Sequence, residues 1–119
     1  GNRPSESAEP ERFYHGFVLG LLVDLRRRYV ITSNRESGYG RYDVMLEPRN
    51  PKEDDAVLLE FKVFDQTEEA TLQDTVEAAL RQIEEKDYAA QLLVRGIPKA
   101  RIHRYGFAFQ GKKVLIGTG

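Results

Sequence analysis

Apolar positions along this chain recur with two periods, one near four residues and one of two. From Pro10 to Leu25, Phe13, Phe17, Leu21 and Leu25 stand four apart, which predicts an amphipathic helix with Pro10 in its first turn. Gly16 and Gly20 share that spacing and predict a close approach by a neighbouring element. A β-branched run at Tyr29–Ser33 predicts a first strand. Arg41–Glu47 predicts a second, with Tyr42, Val44 and Leu46 on one face and Asp43, Met45 and Glu47 on the other. "AVLLEFKVF", Ala56 to Phe64, predicts a third, buried strand. From about Glu68 the period becomes helical again, with Leu72, Val76, Ala79, Leu80 and Ile83 on one face. "DYAAQLLVRG" predicts a short further helix or extension, closed by Gly96 and Pro98. "ARIHRYGFAFQGKKVLIG" predicts two strands turning at "QGK". The order αβββαββ describes an α/β domain whose mixed sheet is flanked by helices.

Composition narrows this picture. The chain has 119 residues, enough for one core. Residues 1–9 read as a polar tail or linker, and 10–119 as the domain. The chain starts at Gly1, and a longer parent protein is expected. Without cysteine there is neither a disulfide framework nor a thiolate metal site, which fits a reducing, cytoplasmic setting. The apolar run "FVLGLLV" is too short to span a bilayer and lacks the flanks of a signal peptide. The net charge of −1 leaves any nucleic-acid contact to a local patch.

The chemistry centres on the third strand. Glu60 and Lys62 interrupt its apolar run and point to one face. Buried charges need partners or a metal. If the second and third strands are neighbours, Asp43 joins Glu60 and Lys62 on one patch. Two close carboxylates repel unless a proton or a cation sits between them, and oxygen ligands suit Mg²⁺ or Mn²⁺. The alternative is a simple ion pair on a half-exposed strand.

Taken together, "FYHGFVLGLL", "ESGYGRYD", "AVLLEFKV" and "QIEEKDYA" resemble the PD-(D/E)XK nuclease superfamily over about Pro10 to Gly117. More narrowly, the chain resembles the nuclease-like domain at the C-terminus of bacterial proteins with an AAA-ATPase-like N-terminal region. The proline that names the superfamily is replaced by Tyr42. The resemblance implies a restriction-endonuclease-like core and metal-assisted hydrolysis of phosphodiesters, DNA above RNA. It implies Asp43 and Glu60 as metal-binding carboxylates, Lys62 as the catalytic lysine and the Phe61 backbone carbonyl as a further ligand. Gln82 and Tyr88 match the superfamily's helix glutamine and the tyrosine that follows it, and would flank the site. Its first helix often supplies a glutamate, and Glu11 and His15 are both candidates; His15 stands equally between a site role and a histidine satisfied within the sheet–helix packing. Glu36 belongs to the same motifs, with loop anchoring the alternative role. Arg41 is left between a phosphate contact and a carboxylate partner.

Arg95, Lys99, Arg101, His103 and Arg104, with Lys112 and Lys113, read either as a phosphate track or as a solvated, edge-protecting face, the latter preferred. Tyr105, Phe107 and Phe109 read as sheet core. The rival function is an inactive interaction module that docks on the ATPase-like region. A homo-oligomer is left open.

Overall fold

The computed structural model describes residues 4–35 and 40–119, with side chains from residue 12 onward. Five strands form one sheet in chain order: β1 (Tyr29–Arg35), β2 (Arg41–Pro48), β3 (Ala56–Val63), β4 (Ile102–Gln110) and β5 (Lys113–Thr118). The first three pair antiparallel, β4 runs parallel to β3, and β5 returns antiparallel. A parallel neighbour requires a long crossover. Helices α2 (Leu72–Lys86) and α3 (Tyr88–Val94) and a 3₁₀ turn at Lys99–Arg101 provide it. Helix α1 (Pro4–Leu25) precedes the sheet.

Strand alternation sorts the side chains into two layers. Tyr42, Val44, Leu46, Leu59, Phe61, Phe107 and Phe109 pack toward α1. Phe61 and Phe107 stack with ring centroids 4.7 Å apart, so the β4 aromatics are core. Phe17, Leu21 and Leu25 pack against this layer as their spacing predicts. The most deeply placed α1 side chain, however, is Tyr14, stacked 4.2 Å from Tyr42. The helix starts at Pro4, not Pro10, since the Ser, Ala and Glu between them sustain a helix that Pro10 interrupts by only one donor. No heavy atom lies within 4 Å of a β carbon built on Gly16 or Gly20, so the predicted close approach is absent among the described residues.

On the other face, Met45, Ala56, Leu58, Ile83, Leu92, Ile97 and Ile102 pack together beneath α2 and α3. Helix α2 starts at Leu72 rather than Glu68. Asp65 accepts hydrogen bonds from the backbone and hydroxyl of Thr67 and holds a turn there. Thr71 then caps the helix in a reciprocal box with Asp74. Two glycines let α2 lie close to the sheet. A β carbon on Gly106 would stand 3.0 Å from the Val76 carbonyl, and one on Gly117 2.4 Å from Val76 Cγ1. Asp87, at φ 58°, ends α2 in the left-handed region and starts α3. Among the described residues no helix is long and apolar enough to cross a membrane.

Candidate active site

Asp43 and Glu60 are direct cross-strand partners. The Val63 amide donates to the Gly40 carbonyl at 3.0 Å, which sets the phase of the β2–β3 ladder. Counting three pairs along from it makes Asp43–Glu60 a pair without mutual backbone bonds, the kind whose Cα atoms approach to about 4.5 Å. Both side chains point to the α2 face, and both residues are buried, at 2% and 0% exposure. They belong to one row that crosses the whole sheet: Asn34, Asp43, Glu60, Gly106 and Gly117.

The cation between the two carboxylates is Lys86. Its Nζ lies 2.8 Å from Asp43 Oδ2 and 2.8 Å from Glu60 Oε1. Asn34 Nδ2 donates to Asp43 Oδ1 at 3.0 Å, and the Tyr88 hydroxyl lies 3.4 Å from Asp43 Oδ2. Glu60 Oε2 has no hydrogen-bond partner among the described residues. Burial pushes the Glu60 carboxyl up to about 7, against the hydrogen bond and charge of Lys86; Asp43 raises it further and Arg41 lowers it.

Lys62 shares this face, but its ammonium is not at the carboxylates. Its Nζ lies 2.9 Å from Glu69 Oε2 and 3.3 Å from the Val63 carbonyl. Two residues along a strand span roughly 7 Å, and the Glu69 carboxylate offers the nearer partner. Glu69 also accepts from the Asp65 amide and the Thr75 hydroxyl, each at 2.9 Å. Burial raises the Glu69 carboxyl, but those three donors together hold it below its ordinary value. Asp43, Glu60 and Lys62 thus share one face as expected, but the cation between the carboxylates is Lys86, and the Lys62 ammonium is tied to the loop before α2. The alternative of a Glu60–Lys62 ion pair is likewise replaced by two separate pairs.

Gln82 is half-buried one helical turn before Lys86, on the same side of α2. Tyr88 reaches Asp43 from the start of α3. Arg41 pairs in register with Lys62, and its Nε is buried without a hydrogen-bond partner among the described residues. Ladder phase directs the Phe61 carbonyl toward β2, in the sheet plane, rather than onto the carboxylate face. His15 is not brought to the site. It is exposed on α1, its ring 5.4 Å from that of Tyr14, and Tyr14 packs on the opposite face of the sheet. The side chain of Glu11 and all of Glu36 lie outside the described residues.

Asn34, Glu69 and Lys86 were not singled out from sequence. Lys86 stands in "QIEEK", where a basic residue at a helix end has a sufficient local reason. Most of the basic cluster is paired with carboxylates. Arg101 bonds Asp55 at 2.7 Å and the Asp54 carbonyl at 2.8 Å, His103 bonds Asp55 at 2.7 Å, Arg104 reaches Glu84 at 3.2 Å, and Arg95 pairs with Glu47. That agrees with a charged face rather than a phosphate track.

The donor set suits a small hard cation: two opposed carboxylates, one oxygen without a partner, and a positive group already held between them. No third acidic or histidine side chain completes a metal-ligating group among the described residues.

No curated protein and no solved structure matches the chain. A family model described as the PD-(D/E)XK nuclease superfamily matches residues 9–119. Nucleases of that superfamily generally use divalent metals. The five-stranded mixed sheet between helices is the restriction-endonuclease-like fold. A match over nearly the whole length, on that fold, makes this chain a member of the PD-(D/E)XK nuclease superfamily, with the nuclease-like function that membership suggests.

Proposed function

We propose that this domain is a Mg²⁺- or Mn²⁺-dependent nuclease that hydrolyses phosphodiester bonds in DNA, as part of a larger cytoplasmic protein with an ATPase-like region. The observation that carries the reading is the buried, face-to-face pairing of Asp43 and Glu60 about a cation. These two side chains would hold the metal. Bound there, a divalent ion supplies an activated water and offsets charge developing on the phosphate. Asn34 and Tyr88 fix the Asp43 carboxylate by donating to it. Lys62, held by Glu69, has a further N–H donor that could reach a phosphate oxygen. Gln82, half-buried one turn before Lys86, lines the approach.

A second reading draws on the same contacts. A pair already served by Lys86, with Lys62 tied to Glu69, suits an inactive domain that docks on the ATPase-like region. The experiment is a cleavage assay on single-stranded, duplex and branched DNA and on RNA, with Mg²⁺ and Mn²⁺ separately, using this chain and the full-length protein. Cleavage that is lost in Asp43→Asn and Glu60→Gln supports the nuclease. Metal binding with no cleavage of any substrate by the full-length protein replaces it with the docking module.

A further inference from the structure

We propose that Lys86 is a tethered counter-ion that a divalent metal must displace from Asp43 and Glu60. This rests on the reading of the carboxylate pair as a metal site.

Occupancy is the first argument. The Lys86 ammonium bonds one oxygen of each carboxylate, Asp43 Oδ2 and Glu60 Oε1. An ion held by both carboxylates would compete with the Lys86 ammonium for them. Because the two carboxylates are buried, an incoming ion cannot simply take a second position in bulk water.

Charge is the second. With both carboxylates ionised, the pair carries −2 and Lys86 brings the group to −1. A divalent ion added beside Lys86 would make it +1, whereas exchange for Lys86 makes it neutral. In a closed, weakly screened site the exchanged state is favoured.

The third is an exit. Lys86 is the last residue of α2, and its side chain keeps 13% exposure. A four-carbon stem lets the ammonium swing toward water without moving the backbone. Exposed Glu85 and Asp87 flank it in sequence and offer negative charge outside the site. Lys62 has a separate carboxylate in Glu69 and need not move.

The test combines calorimetric titration with Mn²⁺ and NMR observation of the lysine side-chain ends during titration with Mg²⁺. Lys86→Gln should bind Mn²⁺ about tenfold to a hundredfold more tightly than the wild type, the range set by losing one ammonium's charge-assisted hydrogen bonds. Asp43→Asn in the same background should abolish that binding. In the wild type, the Lys86 signals should move toward those of a solvated lysine as Mg²⁺ is added, while the Lys62 signals stay in place. Equal or weaker binding by Lys86→Gln, with unmoved Lys86 signals, overturns the displacement and leaves the metal site standing. Absence of ion binding in both proteins overturns the metal site and the displacement together. If Lys86→Gln does not fold, the wild-type NMR titration decides alone.

Discussion

Glu60 is the register partner of Gly106, so a fully buried carboxylate lies beside a position with no side chain, and Gly117 continues the row. The gap is filled by α2, whose Val76 and Ala79 press on the two glycines. That contact sets how far Lys86 must reach to touch Asp43 and Glu60.

Gly117→Ala should therefore cost about 1–3 kcal/mol, as overpacking does in a closed core, because its new methyl group meets Val76 Cγ1. The double variant Gly117→Ala/Val76→Ala should recover part of the loss. Urea denaturation of the wild type, Gly117→Ala, Val76→Ala and the double variant closes the cycle, and additive losses would show that the clash is not with Val76.

Replacing Lys62 by Met should lower stability by about 1–2 kcal/mol, since it leaves Glu69 buried with only its backbone and hydroxyl donors. A cleavage assay of this variant must therefore be paired with a denaturation curve. An unchanged curve would show that Glu69 does not depend on Lys62.

Glu60 predicts an unusual pH dependence. Its carboxyl titrates near 7 in the folded chain against an ordinary 4.5. Between those values the folded chain keeps a proton that the unfolded chain has released, so stability falls as pH rises through the window. Without divalent ion, Glu60→Gln should match the wild type below pH 4.5. At pH 8 it should be more stable by about 1–3 kcal/mol, leaving a neutral Asp43–Lys86 pair. Thermal melts from pH 4 to 8 in chelator test this, and a constant difference across the range would refute it.

The acid side runs the other way. A hydrogen bond from Arg28 lowers the Asp54 carboxyl, bonds from His103 and Arg101 lower that of Asp55, and backbone donors at Ala70 and Thr71 lower that of Asp74. Their stabilisation is complete above the ordinary value of 3.8 and is lost as pH falls through the lower folded values. With Glu60 opposing them above 4.5, the metal-free chain should be most stable near about pH 5. A denaturation series from pH 2.5 to 8 would show the maximum, and a plateau through pH 8 would contradict it.

The strands were legible because each is a short β-branched, alternating or apolar run bounded by turn residues. Glu60 stands out as a charge inside an apolar run, whereas Asp43 fits the alternation of its own strand and reaches the patch only if the second and third strands are neighbours. The start of α2 was not legible, because the acidic residues before Thr71 suit a first helical turn as well as the turn they form. Lys86 could not be recognised for a different reason. Its partners lie 26 and 43 residues away, and its reach depends on the helix-to-sheet distance that Gly106 and Gly117 permit. Glu69 was hidden in the same way, since the choice of Lys62 partner is made by a loop whose path the local pattern does not specify.

The left-handed residue between α2 and α3 has a geometric consequence. Lys86 and Tyr88 are two positions apart, and on an uninterrupted helix they would diverge by about 200°. Asp87 breaks the helical phase, and both side chains arrive at the same Asp43 oxygen. The convergence is a property of chain length rather than of residue identity. A one-residue insertion or deletion at this joint would rotate one of the two away from Asp43, whereas Asp87→Asn or Asp87→Gly, which keep the left-handed turn, would leave both in place.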